Sequence, residues 1–416
     1  MARPGVSRKR EGGVRVSRIS YVRTYPVAYP LETPLSDSIH YMPVRAALLV
    51  ELGTDDGEVG IGESAIYGGP ASVVETVIHD ELAPRILGED PTRPEWLWQM
   101  MMGRSHQHGD GGILPAAVSG LDIATWDLMA RQAGLPLYRL LGGYRDEVPA
   151  YASAGFYAEG KDAEGLAGEA RGYVEAGFRH VKIKVGRTSD TPINPLVHMD
   201  ALDFATVTFA EDLRRVRAVR EAIGDEVHLM VDANNAWPKA TALEAGREFE
   251  RLGVHWFEEP VATDDRAGSA ALAASLSVPI AGYETRTGLA GFRDLIADRA
   301  VDVVQPDVIW SGGITVCRRI AALAAAANLP CVPHVFSTAV SLAANLHLIA
   351  SLPNSYLLEL DRNPNALRTE LLDRPIEPDK RGVVAVPDGP GLGVRLDEET
   401  LRRYATAEPR TSEAGA

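Results

Sequence analysis

Seven polar side chains stand at or near the ends of short apolar runs in the second half of this chain: Lys184, Asp232, Glu258, Glu284, Asp307, His334 and Glu359. Successive members lie 48, 26, 26, 23, 27 and 25 residues apart. Apart from the first step, each interval spans one strand and one helix, so a repeated strand–helix unit would bring all seven to one end of a parallel barrel. Asp232, Glu258 and Glu284 then converge from three consecutive strands, and three carboxylates in a dry cavity require a cation. All-oxygen ligation fits a hard divalent ion, magnesium, better than zinc, which recruits His or Cys. Asn234 shares a strand face with Asp232 and would support the same ion. Taken singly, each acid reads equally well as a solvated strand end or a helix cap. The common register argues for the site.

The stretch 179-RHVKIKVGR-187 sends Val181, Ile183 and Val185 to one face of a strand and Lys182 and Lys184 together to the other. Neighbouring ammonium groups lower each other's pKa below about 10.4, so one of them can serve as a base near neutrality. Lys184, nearer the strand's end, is the expected base, and Lys182 the expected holder of a substrate anion. Asp307 on a neighbouring strand would fix the tautomer of His334, supplying a second acid/base group. Glu359, as a neutral carboxylic acid, would hydrogen-bond an oxygen of the reacting group. A base on each side of a metal-bound carboxylate points to proton abstraction α to that carboxylate, with the negative charge developing on its oxygens.

These residues need a scaffold, and the pattern supplies one. From about Val148, eight apolar runs (VPAYASA, HVKIKV, HLMVDAN, HWFEEP, PIAGYE, VDVVQPD, PCVPH and YLLELD) alternate with amphipathic helical stretches. That predicts an α/β fold, a TIM-like (β/α) barrel over 148–365, with a doubly wound open sheet as the competing arrangement. Residues 188–209 interrupt the unit and read as a loop inserted at the barrel mouth. Before the barrel, strands and then helices over 14–147 predict a small α+β capping domain, with 54-TDDG-57 turning a hairpin. Its loops at about 29–43 and 66–70 would act as lids, with His40, Tyr41 and Tyr67 touching substrate. The Pro- and Gly-rich segment over 366–405 would return to the capping domain. Residues 1–13 and the tail 406–416 are expected to be disordered. The glycines of 57-GEVGIG-62 and 311-SGG-313 lack the lysine and acidic partners of a phosphate loop.

Composition narrows the partners. The 416 residues carry a net charge of −15, which argues against nucleic acid or an anionic membrane as partner and leaves a small-molecule carboxylate. Two cysteines without CxxC spacing give neither a disulfide framework nor a zinc site, which suits the reducing cytoplasm. No secretory signal or membrane span is read in the sequence.

The motifs 182-KIK-184, 232-DAN-234, 257-FEEP-260, 283-YET-285, 305-QPD-307, 333-PH-334 and Glu359 occur in the order that resembles the mandelate racemase subgroup of the enolase superfamily. The resemblance runs from about residue 14 to 400 and takes in 119-SGLDIATWDL-128 and 386-VPDGPGLG-393. It implies a capping α+β domain over a modified TIM-like barrel, essential Mg2+, and α-proton abstraction as first step. By position it implies Asp232, Glu258 and Glu284 as metal ligands, Lys184 as one acid/base, His334 with Asp307 as the other, and Glu359 as electrophilic stabiliser. Strand alternation does not choose between Glu258 and Glu259; the resemblance favours Glu258. Members with both KxK and a His–Asp pair resemble acid-sugar dehydratases, which expel the β-hydroxyl of an aldonate or aldarate to give a 2-keto-3-deoxy acid. The same residues would serve a racemase or epimerase, and a non-catalytic binding protein is the alternative outside enzymes. Family members are commonly homo-oligomers.

Overall fold

The computed structural model describes residues 17–66, 69–103, 107, 111–194, 199–201 and 203–415. Three antiparallel strands open the chain: β1 (Ile19–Ser36), β2 (Tyr41–Thr54) and β3 (Val59–Ser64), with the predicted turn between the last two. Helices follow, the longest being Ile113–Gln132, which packs on β2 and β3. That helix is long and apolar enough to cross a membrane, yet 89% of its apolar window is buried inside the protein. It serves as the spine of the capping domain.

The approach between this helix and the sheet explains Gly60 and Gly62 of 57-GEVGIG-62. A Cβ on Gly62 would lie 2.1 Å from the Gly120 carbonyl oxygen, and one on Gly120 would lie 2.3 Å from Ser64 Oγ. Two backbones meet there, and neither leaves room for a side chain.

The barrel strands are β4 (Glu147–Ser153), β5 (His180–Lys184), β6 (His228–Asp232), β7 (Trp256–Glu258), β8 (Ile280–Gly282), β9 (Val303–Val304) and β10 (Leu358–Asp361). They pair in parallel in that order, and β10 returns to β4. Strand alternation works as predicted: Val181, Ile183, Leu229 and Val231 point outward to the helices, while Tyr151, Met230 and Trp256 fill the interior. Helices of the barrel begin on side-chain caps at Asp162, Thr208, Asp265 and Thr338.

Two expectations need correction. The run PCVPH forms a single bridge, Cys331 to Val304, instead of a strand. Pro330 and Pro333 have no N–H to give to a ladder, so only the residues between them pair. The tail is not disordered: β12 (Arg410–Glu413) pairs antiparallel with β1. The C-terminal segment first lays β11 (Val383–Ala385) beside the barrel strand β4 and then reaches the capping domain, where the Leu392 amide donates to Asp127 at 2.6 Å. Residues 1–13 lie outside the described residues.

Candidate active site

Register places the chemistry. Lys184 pairs with Asp232 across β5 and β6, and Asp232 with Glu258 across β6 and β7, so the three stand side by side at one level. Lys182 lies one inward-facing position deeper, level with Met230. Glu284 follows β8, Asp307 follows β9, His334 follows the Cys331 bridge and Glu359 lies in β10. All are buried, with Glu284 the most accessible at 8%.

Within this arc every cation meets a carboxylate. Lys182 Nζ contacts Glu258 Oε1 at 2.5 Å, Glu359 Oε1 at 2.8 Å and Asp232 Oδ2 at 3.7 Å. Lys184 Nζ donates to Asp232 Oδ2 at 2.5 Å. His334 sits between two acids, Nδ1 at 2.8 Å from Asp307 Oδ2 and Nε2 at 3.2 Å from Glu284 Oε2. Glu258 also accepts from Trp256 Nε1 and Gln305 Nε2, both at 3.0 Å. Among the described residues, no three acidic, His or Cys side chains already form a cage. The acids are shared out among the cations instead.

The electrostatics correct two sequence readings. Burial pushes Lys184 down, but Asp232 pushes it up by more than Lys182 pulls it down, and the net is above the usual lysine value. The repulsion within the lysine pair is real but outvoted. Glu359 is not a neutral acid: burial raises it, yet Lys182 and His334 together hold it below the usual carboxylate range. Against its burial, Glu284, Glu359 and Asp307 raise His334 to about 10, so its imidazole is charged at neutral pH. Burial raises Glu258 and, strongly, Glu284, with neighbouring acids adding to the effect. Carboxylates held above their normal range mark a site short of positive charge. Asn234 Oδ1 is also buried there without a hydrogen-bond partner among the described residues. Three carboxylates and an orphaned amide oxygen suit a hard divalent cation.

Backbone strain surrounds the acids. Asn234, Asn235, Glu259 and Tyr283 all have positive φ, at 39°, 69°, 41° and 77°. Each such residue costs about 1–3 kcal/mol, and their clustering beside the strand ends bearing the acids is typical of reaction sites. No sequence signal announced it. The turn after β7 separates the two glutamates. Glu258 stays level with Asp232, whereas Glu259 accepts from Asn235 Nδ2 at 2.7 Å and the Tyr283 amide at 3.1 Å, tying two loops together.

Above the arc, the turn after β1 carries His40. Its Nδ1 meets Asp37 Oδ2 at 2.9 Å while the side chain stays half exposed, and Asp37 raises the imidazole to about 9, with Glu284 adding to the shift. Asp37 was not singled out in the sequence, and its short spacing to His40 was the available signal. Tyr41 lines a cavity of about 300 Å³ with Arg45, Phe336 and Thr338, next to His334. Tyr67 lies outside the described residues. A larger cavity, of about 740 Å³, lies between β1 and the tail and contains none of the site residues.

Residues 19–142 match the mandelate racemase/muconate lactonizing enzyme N-terminal domain, and residues 165–400 match the enolase C-terminal domain-like family. The chain belongs to the mandelate racemase group of the enolase superfamily. Among its relatives within that superfamily is the arabinonate dehydratase of Saccharolobus solfataricus, 38% identical over 93% of this chain and 99% of that one. The D-galactarolactone cycloisomerase of Agrobacterium fabrum is 34% identical over 94% of this chain and 100% of its own length. The crystal structure of L-talarate/galactarate dehydratase from Salmonella typhimurium LT2, liganded with Mg and L-lyxarohydroxamate, superposes with a TM-score of 0.82. It is 32% identical and covers 99% of this chain and 98% of its own.

Proposed function

We propose that this superfamily member is a Mg2+-dependent acid-sugar dehydratase that removes the proton α to a carboxylate and expels the β-hydroxyl. One observation carries the reading. Lys184 on β5 and His334 beyond β9 flank the arc of Asp232, Glu258 and Glu284, and each contacts a terminal member of it. Relatives named as dehydratases of arabinonate, galactarate and galactonate support the substrate class.

When bound by Asp232, Glu258 and Glu284, Mg2+ would supply the positive charge that makes the α-carbon of the substrate acidic. Lys184 loses the partner that raises it when Asp232 is engaged elsewhere, and burial and Lys182 then lower it toward a working base. Lys182, bridging to Glu359, faces the charge that develops on the substrate carboxylate. His334 is charged and held at Nδ1 by Asp307, so its Nε2 proton is the one available to the departing hydroxyl. The enol left behind tautomerises to a 2-keto-3-deoxy acid.

A panel of aldonates, aldarates and their lactones, incubated with the protein and MgCl2 and assayed for 2-keto-3-deoxy acids, tests this directly. Keto-acid formation from one or a few acids is the expected result. A new diastereomer without keto acid would move the assignment to an epimerase, and ring opening without water loss to a cycloisomerase.

A further inference from the structure

Arg187 lies three residues beyond Lys184, and its side chain is fully buried. Its guanidinium donates five hydrogen bonds, all to main-chain carbonyls: Nε to Phe204 at 2.7 Å, Nη2 to Asp200 and Ala201 at 2.6 Å each, and Nη1 to Asp37 and Ser38 at 3.3 and 3.5 Å. These acceptors belong to two segments that are foreign to the barrel strand. Asp37 and Ser38 form the capping-domain turn after β1, and Asp200, Ala201 and Phe204 belong to the insertion after β5.

The two segments also meet each other. The Asp200 amide donates to the Ile39 carbonyl at 2.7 Å, and the Tyr41 ring meets Phe204 edge to face at 4.9 Å. Ser38 Oγ then reaches the Ala233 carbonyl at 2.6 Å, next to Asp232. A guanidinium buried without its acceptors is far more costly than one with them filled, so withdrawing either segment penalises the other. The arrangement favours both segments docked or both released. The docked turn holds His40 where its charge reaches Glu284, and Asp37 where its charge reaches Lys184.

We propose that Arg187 is a positioning residue that clasps the capping turn 37–41 and the insertion residues 199–201 and 203–209 together, so that they cover the reaction site as one unit. The proposal rests on the dehydratase reading only for the choice of substrate, and its main test needs no turnover. Hydrogen–deuterium exchange is measured on the full chain with MgCl2, for wild type, Arg187→Lys and Arg187→Gln. Lysine keeps the charge but cannot span five acceptors. Faster exchange in both segments together is expected, by about tenfold or more, with β5 and β6 keeping their protection and the Mg2+-induced thermal shift unchanged. Loosening of one segment alone, of neither, or of the whole barrel overturns the proposal. Should Arg187→Gln fail to fold, Arg187→Lys alone decides the outcome. On any acid sugar the wild type turns over, the clasp predicts a KM raised about tenfold with kcat within about twofold. A fall in kcat at constant KM would instead give Arg187 a part in the chemistry and contradict the proposal.

Discussion

At the residue scale, the site is an exercise in charge balance. Two lysines and a charged histidine are distributed among Asp232, Glu258, Glu284, Asp307 and Glu359, leaving Glu258 and Glu284 above their normal range. Glu258→Gln should therefore weaken Mg2+ binding by about tenfold or more in calorimetry, since an ion site loses one of three anionic donors. Glu259→Gln should disturb the loops it ties before it disturbs the ion. An unchanged affinity in Glu258→Gln with a loss in Glu259→Gln would exchange the two roles. The Asp37–His40 pair makes a separate prediction about pH. His40 is raised from 6.5 to about 9, so its stabilisation is complete below about 6.5 and disappears as pH rises through about 9. Burial raises Asp37, but His40 and hydrogen bonds bring it down to about 2, so its share holds above about 3.8 and is lost as pH falls through about 2. The stability gap between wild type and His40→Gln, measured by urea unfolding, should be widest near pH 5.5 and close by about pH 10. A gap that widens with pH would reverse this account.

At the element scale, packing between helix Ile113–Gln132 and the capping sheet is close enough to forbid a methyl group. Gly62→Ala should cost about 1–3 kcal/mol or more in urea unfolding, through overpacking against the Gly120 carbonyl. A neutral substitution would mean that the helix can step away from the sheet. How much could be read in advance follows the same physics. One strand–helix period between Asp232, Glu258, Glu284, Asp307, His334 and Glu359 was legible, because a (β/α) repeat imposes that spacing on whatever residues end its strands. The inward lysine pair was legible because alternation has a period of two. The missing seventh strand was signalled by Pro330 and Pro333, whose effect on pairing outweighed the apolar run. β12 left no trace, because a strand that pairs through its main chain on an exposed edge needs no apolar pattern. Arg187 was equally hidden: its partners are carbonyls about 13 to 150 residues away, and a carbonyl carries no side-chain identity.

At the scale of the whole molecule, the chain is a barrel whose mouth is completed by a domain from the other half of the sequence, and the candidate ion site lies beneath the join. Magnesium that binds only the folded protein stabilises it by about 2.7 kcal/mol at a hundredfold excess over Kd, so Tm should rise with MgCl2 and fall with EDTA. Equal Tm values in both would remove the divalent ion from the account. The central claim is that Lys184 and His334 act from the two sides of one carboxylate to move an α-proton and expel a hydroxyl. Proton NMR in deuterium oxide, on wild type, Lys184→Ala and His334→Asn with MgCl2 and the acid sugar selected by the panel, tests it most directly. The account predicts that wild type erases the α-proton signal as a 2-keto-3-deoxy acid appears, and that both folded variants lose turnover by at least about a thousandfold. Product formation at wild-type rates in both variants would contradict it.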